Sequence, residues 1–143
     1  LVGSEMCLRY SGKGVVMKDG SDITIIATGL MVNEALEASK VLETEGISAR
    51  VVNIHTIKPL DKELICRCAK ETGVIVTAEE HSVIGGLGSA VAEAVTECCP
   101  VPVVKIGVND VYGYSGPAVD LLKDFGLSAE NIVKTTKEAL KLK

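Results

Sequence analysis

From Val15 onward the chain alternates short β-branched runs with stretches of helical periodicity. Val15-Val16-Met17 and the run 23–27 are short β-branched or apolar runs that flank Lys18-Asp19-Gly20-Ser21-Asp22. An Asp-Gly step supplies the positive φ of a tight reversal, so the two runs are expected to pair as an antiparallel hairpin. Over 31–45, Val32, Ala35, Ser39 and Leu42 share one helical face, and Gly46 stands where a left-handed residue ends a helix. A strand follows over 50–54. Pro59 then breaks the chain, and Asp61 is placed to cap a helix that buries Leu64, Ile65 and Cys68 before Gly73 stops it. The run 74–78 is almost continuously apolar, as in a strand covered on both faces. A helix over 87–97 carries Val91, Ala94, Val95 and Cys98 at helical spacing, and 103–107 reads as the last strand. Two short helices close the chain, one from Ser115-Gly116-Pro117 to Gly126, the other from Ser128 with Glu130 in its first turn.

This order predicts an α/β fold, a three-layer sandwich around a mostly parallel five-stranded sheet with one antiparallel edge strand. No internal repeat or low-complexity segment interrupts it. Residues 6–10 read as one more strand, separated from the rest by Gly12-Lys13-Gly14. Residues 15–143 are accordingly expected to form the domain, and 1–14 a linker or remnant of a preceding domain. Leu1 is not an initiator methionine.

Composition narrows the function classes. The 143 residues suffice for one ordinary core and leave no room for a second catalytic domain. Aromatic residues make up 3% of the chain, too few for base-stacking or flavin-stacking platforms. With 15 basic and 19 acidic side chains the net charge is −4, so there is no cationic excess to neutralise nucleic-acid phosphates. Neither a spanning apolar run nor a signal-peptide pattern is present in the sequence, and a cytoplasmic protein without membrane or nucleic-acid partners is expected. The five cysteines are odd in number and two are vicinal, a poor disulfide framework, so Cys66, Cys68, Cys98 and Cys99 are expected as packed or partly exposed thiols. Cys66 and Cys68, two apart on a helix, point to nearly opposite faces and cannot share a metal ion.

In sheets of this kind ligands gather at the carboxyl ends of the parallel strands. Thr28-Gly29, His55-Thr56, Glu79-Glu80-His81-Ser82 and Val108-Asn109-Asp110 meet there, bringing both histidines and several carboxylates to one edge. His81 beside Glu79 and Glu80 reads either as an acid-base group or as a loop or subunit-contact histidine. His55 has no carboxylate next to it and reads more simply as a backbone partner. Gly85-Gly86-Leu87-Gly88-Ser89 lies between strand and helix, as phosphate-cradling loops do. It lacks both the dinucleotide fingerprint and the Gly-Lys-Ser/Thr step of a P-loop, which favours a tight turn and close helix packing. Tyr112 and Tyr114 suit a protein interface. No nucleophile elbow, zinc-protease helix or Ser-His-Asp arrangement is present, so no catalytic, cofactor-binding or metal residue is assigned.

Three ordered blocks, 23–29, 51–61 and 78–89, followed by Gly107-Val108-Asn109-Asp110 and Ser115-Gly116, resemble the C-terminal domain of transketolase-type thiamine diphosphate enzymes. The resemblance spans nearly all of 21–140. Within that superfamily His81-Ser82 and the double glycine look most like transketolase, including forms divided into two subunits. Deoxyxylulose-phosphate synthase and the β subunits of keto-acid dehydrogenases share the fold and are the related alternatives. The resemblance implies an enzyme that moves a two-carbon ketol unit between sugar phosphates at a dimer interface. Thiamine diphosphate and Mg²⁺ would be held by the other two domains, and none bound by this chain. Residues 7–11 resemble the last strand of the pyrimidine-binding domain; Ser11-Gly12-Lys13 lacks the substrate-phosphate arginine that relatives place there. The implied partners are the remaining transketolase domains or N-terminal subunit, within a homodimer. The isolated chain is then expected to be inactive and to give subunit contacts, with Thr28, Gly29, His55, Glu79, Glu80, His81, Gly85, Gly86 and Asp110 as a ligand or interface edge. A different class of function is a stand-alone doubly wound ligand-binding or regulatory module using that same edge.

Overall fold

The computed structural model describes residues 12–109 and 118–143. In chain order the elements are β1 (Val15–Lys18), β2 (Ile23–Ala27), α1 (Met31–Thr44), β3 (Ala49–Asn53), α2 (Lys62–Thr72), β4 (Ile75–Ser82), α3 (Leu87–Cys98), β5 (Val103–Val108), α4 (Ala118–Asp124) and α5 (Ala129–Leu140). The strands form one sheet in the order β1-β3-β2-β4-β5. β2 runs parallel to both β3 and β4, β4 runs parallel to β5, and only β1 is antiparallel. The three-layer, mostly parallel sheet predicted from the alternation of runs is the observed architecture.

Every residue of β2 is buried, because successive side chains enter opposite layers. Ile23 and Ile25 join Val51 and Val76 against Met31, Leu42, Ile132 and Ala139 of α1 and α5. Ile26, Val52 and Ile75 face Leu64, Ile65, Leu87 and Val91 of α2 and α3. Removing each such side chain from water contributes roughly 1.5–3 kcal/mol. The predicted stops also act as read. Asp61 caps α2, its Oδ1 accepting the Leu64 amide at 3.1 Å, and Gly73 ends that helix at φ 74°. Gly46 follows α1 at φ 79°, and Ser128 caps α5 through the Asn131 amide at 3.2 Å. The strand read at 6–10 and the helix start at Ser115-Gly116-Pro117 lie outside the described residues.

The opening hairpin does not form. β1 pairs with β3, so β3 lies between the two runs that were expected to be neighbours. Both edges of β2 are taken by parallel partners, and β1 pairs instead along the outer edge of β3. Gly20 does not adopt a positive φ. Its role is close approach: a Cβ there would lie 2.3 Å from the Ala49 carbonyl carbon and 2.4 Å from the Arg50 nitrogen. The chain crosses over the start of β3 at this point, and the Asp22 amide donates to the Ser48 carbonyl at 2.8 Å.

Arg50 ties down the crossing through Asp19. Its guanidinium is largely buried, with Nε donating to Asp19 Oδ1 at 2.9 Å, and it also pairs with Glu71 and reaches the Cys68 sulfur. Burial disfavours the cation, but the hydrogen bonds to Cys68, Glu71 and Asp19 outweigh it and hold the Arg50 pKa above its ordinary value. The Asp19 carboxyl is held below the usual range, first by the Gly20 amide and then by Arg50. A carboxyl depressed in the folded state adds stability above its ordinary pKa, lost as pH falls through the folded value. Asp19→Asn should therefore flatten the acid limb of stability against pH. Urea midpoints between pH 5 and 2 test this, and identical limbs in the two proteins would refute it.

The cysteine reading also needs correction. Cys66 and Cys98 are joined in a disulfide, their Cα atoms 6.1 Å apart, while Cys68 and Cys99 are free. Parity in the sequence carries no information on spatial neighbours, and the packing of α2 against α3 brings together residues 32 apart. Cys68 is buried beside Arg50, while Cys66 meets Cys98 of α3.

Candidate functional site

The parallel strands β2, β3, β4 and β5 deliver their carboxyl ends to one edge of the sheet. Thr28 and Gly29 follow β2, and His55 and Thr56 follow β3. β4 is longer than its apolar run suggests, and Glu79, Glu80, His81 and Ser82 belong to the strand itself. Asp110 lies outside the described residues.

β4 reaches this edge through an irregularity. Ala78 pairs with Ile106 and Ser82 with Val108, so four steps along β4 answer two along β5. Such a bulge turns side chains away from strict alternation. Gly107 sits opposite it, and a Cβ there would lie 2.7 Å from the His81 carbonyl oxygen and 3.3 Å from Glu79 Cγ. Gly107 was not singled out as a site residue; a glycine inside a strand pattern is the signal that marks it.

Glu79 is a buried charge at the edge. It is 1% exposed, Oε2 accepts the Leu87 amide at 2.8 Å, and Oε1 accepts the Gly88 amide at 2.9 Å. The carboxylate thus takes the place that a bound anion would occupy at the amino end of α3, whose N-cap Gly86 offers no side chain. Gly86 must be glycine for this reason, because a Cβ would stand 2.2 Å from Glu79 Oε2. Gly85 makes the turn at φ 76°. Ser89 Oγ accepts the Gly85 amide at 3.0 Å and donates to the Val83 carbonyl at 3.3 Å, and Lys105 Nζ donates to that carbonyl at 3.3 Å.

The other candidates surround this buried cap. Glu80 is exposed and lies beside Gly29, where a Cβ would stand 3.7 Å from its Oε2. The Thr28 amide donates to the Ala78 carbonyl at 3.2 Å, tying the end of β2 to β4. His55 and His81 are both exposed, and His81 Nδ1 stands 3.2 Å from the Ser82 carbonyl oxygen. The structure thus brings Thr28, Gly29, Glu79, Glu80, Gly85 and Gly86 around the ends of β2 and β4. Among the described residues no group of three or more His, Cys, Asp or Glu could hold a metal ion. No helix of the described residues is long and apolar enough to cross a membrane.

The family model described as "Transketolase, C-terminal domain" matches residues 12–132. The chain belongs to the transketolase C-terminal domain family. It is 49% identical over 132 residues to "6-deoxy-6-sulfo-D-fructose transketolase subunit SqwH" of Clostridium sp. (strain MSTE9), covering 92% of this chain and 41% of that protein. It is 48% identical over 128 residues to 1-deoxy-D-xylulose-5-phosphate synthase of Heliobacterium modesticaldum, covering 89% of this chain and 20% of the synthase. A solved structure described as "Split gene transketolase, inactive beta4 tetramer" superposes with a TM-score of 0.89 at 57% identity, over 92% of this chain and 43% of that one. This transketolase-type domain therefore spans less than half the length of these relatives. Its described edge does not fit the diphosphate and metal that transketolase-family enzymes use: the α3 amides are held by Glu79, and the carboxylates do not converge on an ion.

Proposed function

We propose that this chain is the C-terminal domain of a transketolase that transfers a two-carbon ketol unit between sugar phosphates, and that it gives subunit contacts without catalysing the reaction itself. Residues 15–143 serve as the domain and 1–14 as a remnant linker from the pyrimidine-binding domain. The observation that carries the non-catalytic role is Glu79, the buried carboxylate of the strand-end edge, whose two oxygens are committed to backbone amides. Thiamine diphosphate and Mg²⁺ then belong to the preceding domains or to an N-terminal subunit, in a homodimeric cytoplasmic assembly.

Two observations support a contact role for the edge. Leu30 and Ile84, which follow β2 and β4, are 60% and 67% exposed, and Ile57 beyond β3 is 42% exposed. The 57% identical split-gene relative is itself named as an inactive tetramer of one subunit. With Thr28, His55 and His81 beside these apolar side chains, the edge has the mixed character of a subunit contact.

The isolated chain is expected to show no ketol transfer with thiamine diphosphate, Mg²⁺ and a panel of sugar phosphates, including 6-deoxy-6-sulfo-D-fructose as a donor. Adding the N-terminal part of the enzyme should restore turnover. Measurable activity of the chain alone would overturn the proposal. The Heliobacterium relative supports a second reading, the C-terminal domain of a deoxyxylulose-phosphate synthase. Formation of 1-deoxy-D-xylulose 5-phosphate by the reconstituted enzyme would decide for it.

A further inference from the structure

Beyond the strand-end edge, the cysteines among the described residues gather on the layer formed by α2 and α3. Cys66 is half-buried on α2, and Cys98 is exposed as the last residue of α3. Their Cα atoms are 6.1 Å apart, inside the roughly 4.4–6.8 Å span that a disulfide bridges without moving the backbone. We propose that Cys66 and Cys98 are a reversible redox pair that cross-links α2 to α3 when oxidised and opens that cross-link when reduced by an external thiol.

The surroundings single out this pair. Cys68 is 1% exposed and faces the Arg50 guanidinium, whose NH1 lies 3.7 Å from its sulfur. Cys99 packs against the inner cluster of that layer, its amide bonded to the Val95 carbonyl at 2.9 Å. Two described cysteines are therefore turned inward, and the other two meet where solvent reaches Cys98. The helix interface has other supports: Lys62 Nζ pairs with Glu97 Oε2 at 2.9 Å, and Ile65, Ala69, Val91 and Val95 share one core cluster. Reduction therefore loosens the layer and leaves the fold standing.

The exchange is balanced by an external thiol couple of the glutathione class. A thiolate attacks the exposed Cys98 sulfur, the Cys66–Cys98 bond breaks, and Cys66 leaves as a thiolate that takes up a proton. A second thiolate attacks the outer sulfur of the mixed disulfide and frees Cys98, so two external thiols become one disulfide and two protein thiols form. Oxidation is the reverse. The bridge spans 32 positions that include β4 and most of α3, and closing that loop restricts the unfolded chain.

The test is non-reducing peptide mapping of the full chain across a series of oxidised-to-reduced glutathione ratios. Trypsin cuts after Arg67 and so separates Cys66 from Cys68, while Cys98 and Cys99 stay on one peptide. The Cys66 peptide should be linked to the Cys98-Cys99 peptide at oxidising ratios and free at reducing ones. Cys98→Ser should abolish the link and Cys99→Ser should leave it. The oxidised protein should melt roughly 10 °C higher than the reduced one, and the Cys98→Ser variant should melt with the reduced form at every ratio. A Cys66 peptide that stays free at all ratios, or a link that survives Cys98→Ser, would overturn the proposal.

Discussion

Replacing Glu79 by alanine is expected to lower the unfolding free energy by about 3 kcal/mol, because two buried backbone amides lose a charged acceptor. Those amides are Leu87 and Gly88, which Glu79 accepts at 2.8 Å and 2.9 Å, and water has little access to them. Glu79→Gln should cost about half as much, since its one carbonyl oxygen serves one amide while its NH₂ faces the other donor. Urea midpoints at constant slope measure both variants. A loss below about 1 kcal/mol for Glu79→Ala would show that the carboxylate is not the cap of α3. Coupling gives a second check. Gly86→Ala puts a Cβ where Glu79 Oε2 lies, so its cost should shrink when Glu79 is already alanine.

Gly20→Ala is expected to cost about 3 kcal/mol for a different reason, the overlap of its Cβ with main-chain atoms that cannot rotate away. Those atoms are the Ala49 carbonyl carbon and the Arg50 nitrogen at the start of β3. Gly46→Ala is the control: it has φ 79° and nothing within 4 Å of a Cβ, so it should lose only about 1 kcal/mol to backbone strain. Denaturation of the two variants side by side distinguishes the topologies. In a hairpin Gly20 would be a turn residue like Gly46 and the two costs would match; in the observed sheet Gly20→Ala is clearly the worse.

The contrast shows where sequence reasoning reaches and where it stops. The run 74–78 announces itself as a central strand because near-continuous apolar residues need cover on both faces. Asp61, Gly73 and Ser128 are legible because capping is settled within three or four residues. The partner of β1 is not legible, since an Asp-Gly step between two β-branched runs has the same composition whether the chain turns back or crosses a neighbour. The strand-end edge was located by fold class, as the carboxyl ends of parallel strands. What Glu79 does there was not, because the Leu87 and Gly88 amides reach it only through the β4 bulge opposite Gly107.

The sequence by itself determined the layers, the alternation and the family, because periodicity, caps and an ordered set of blocks are local patterns that survive without coordinates. Only the tertiary structure decided which strand lies beside β1, that Glu79 spends its charge on the amino end of α3, and that Cys66 meets Cys98. Each of these depends on atoms brought together across the sheet or between helices, and their distances follow from packing that no local window of sequence contains.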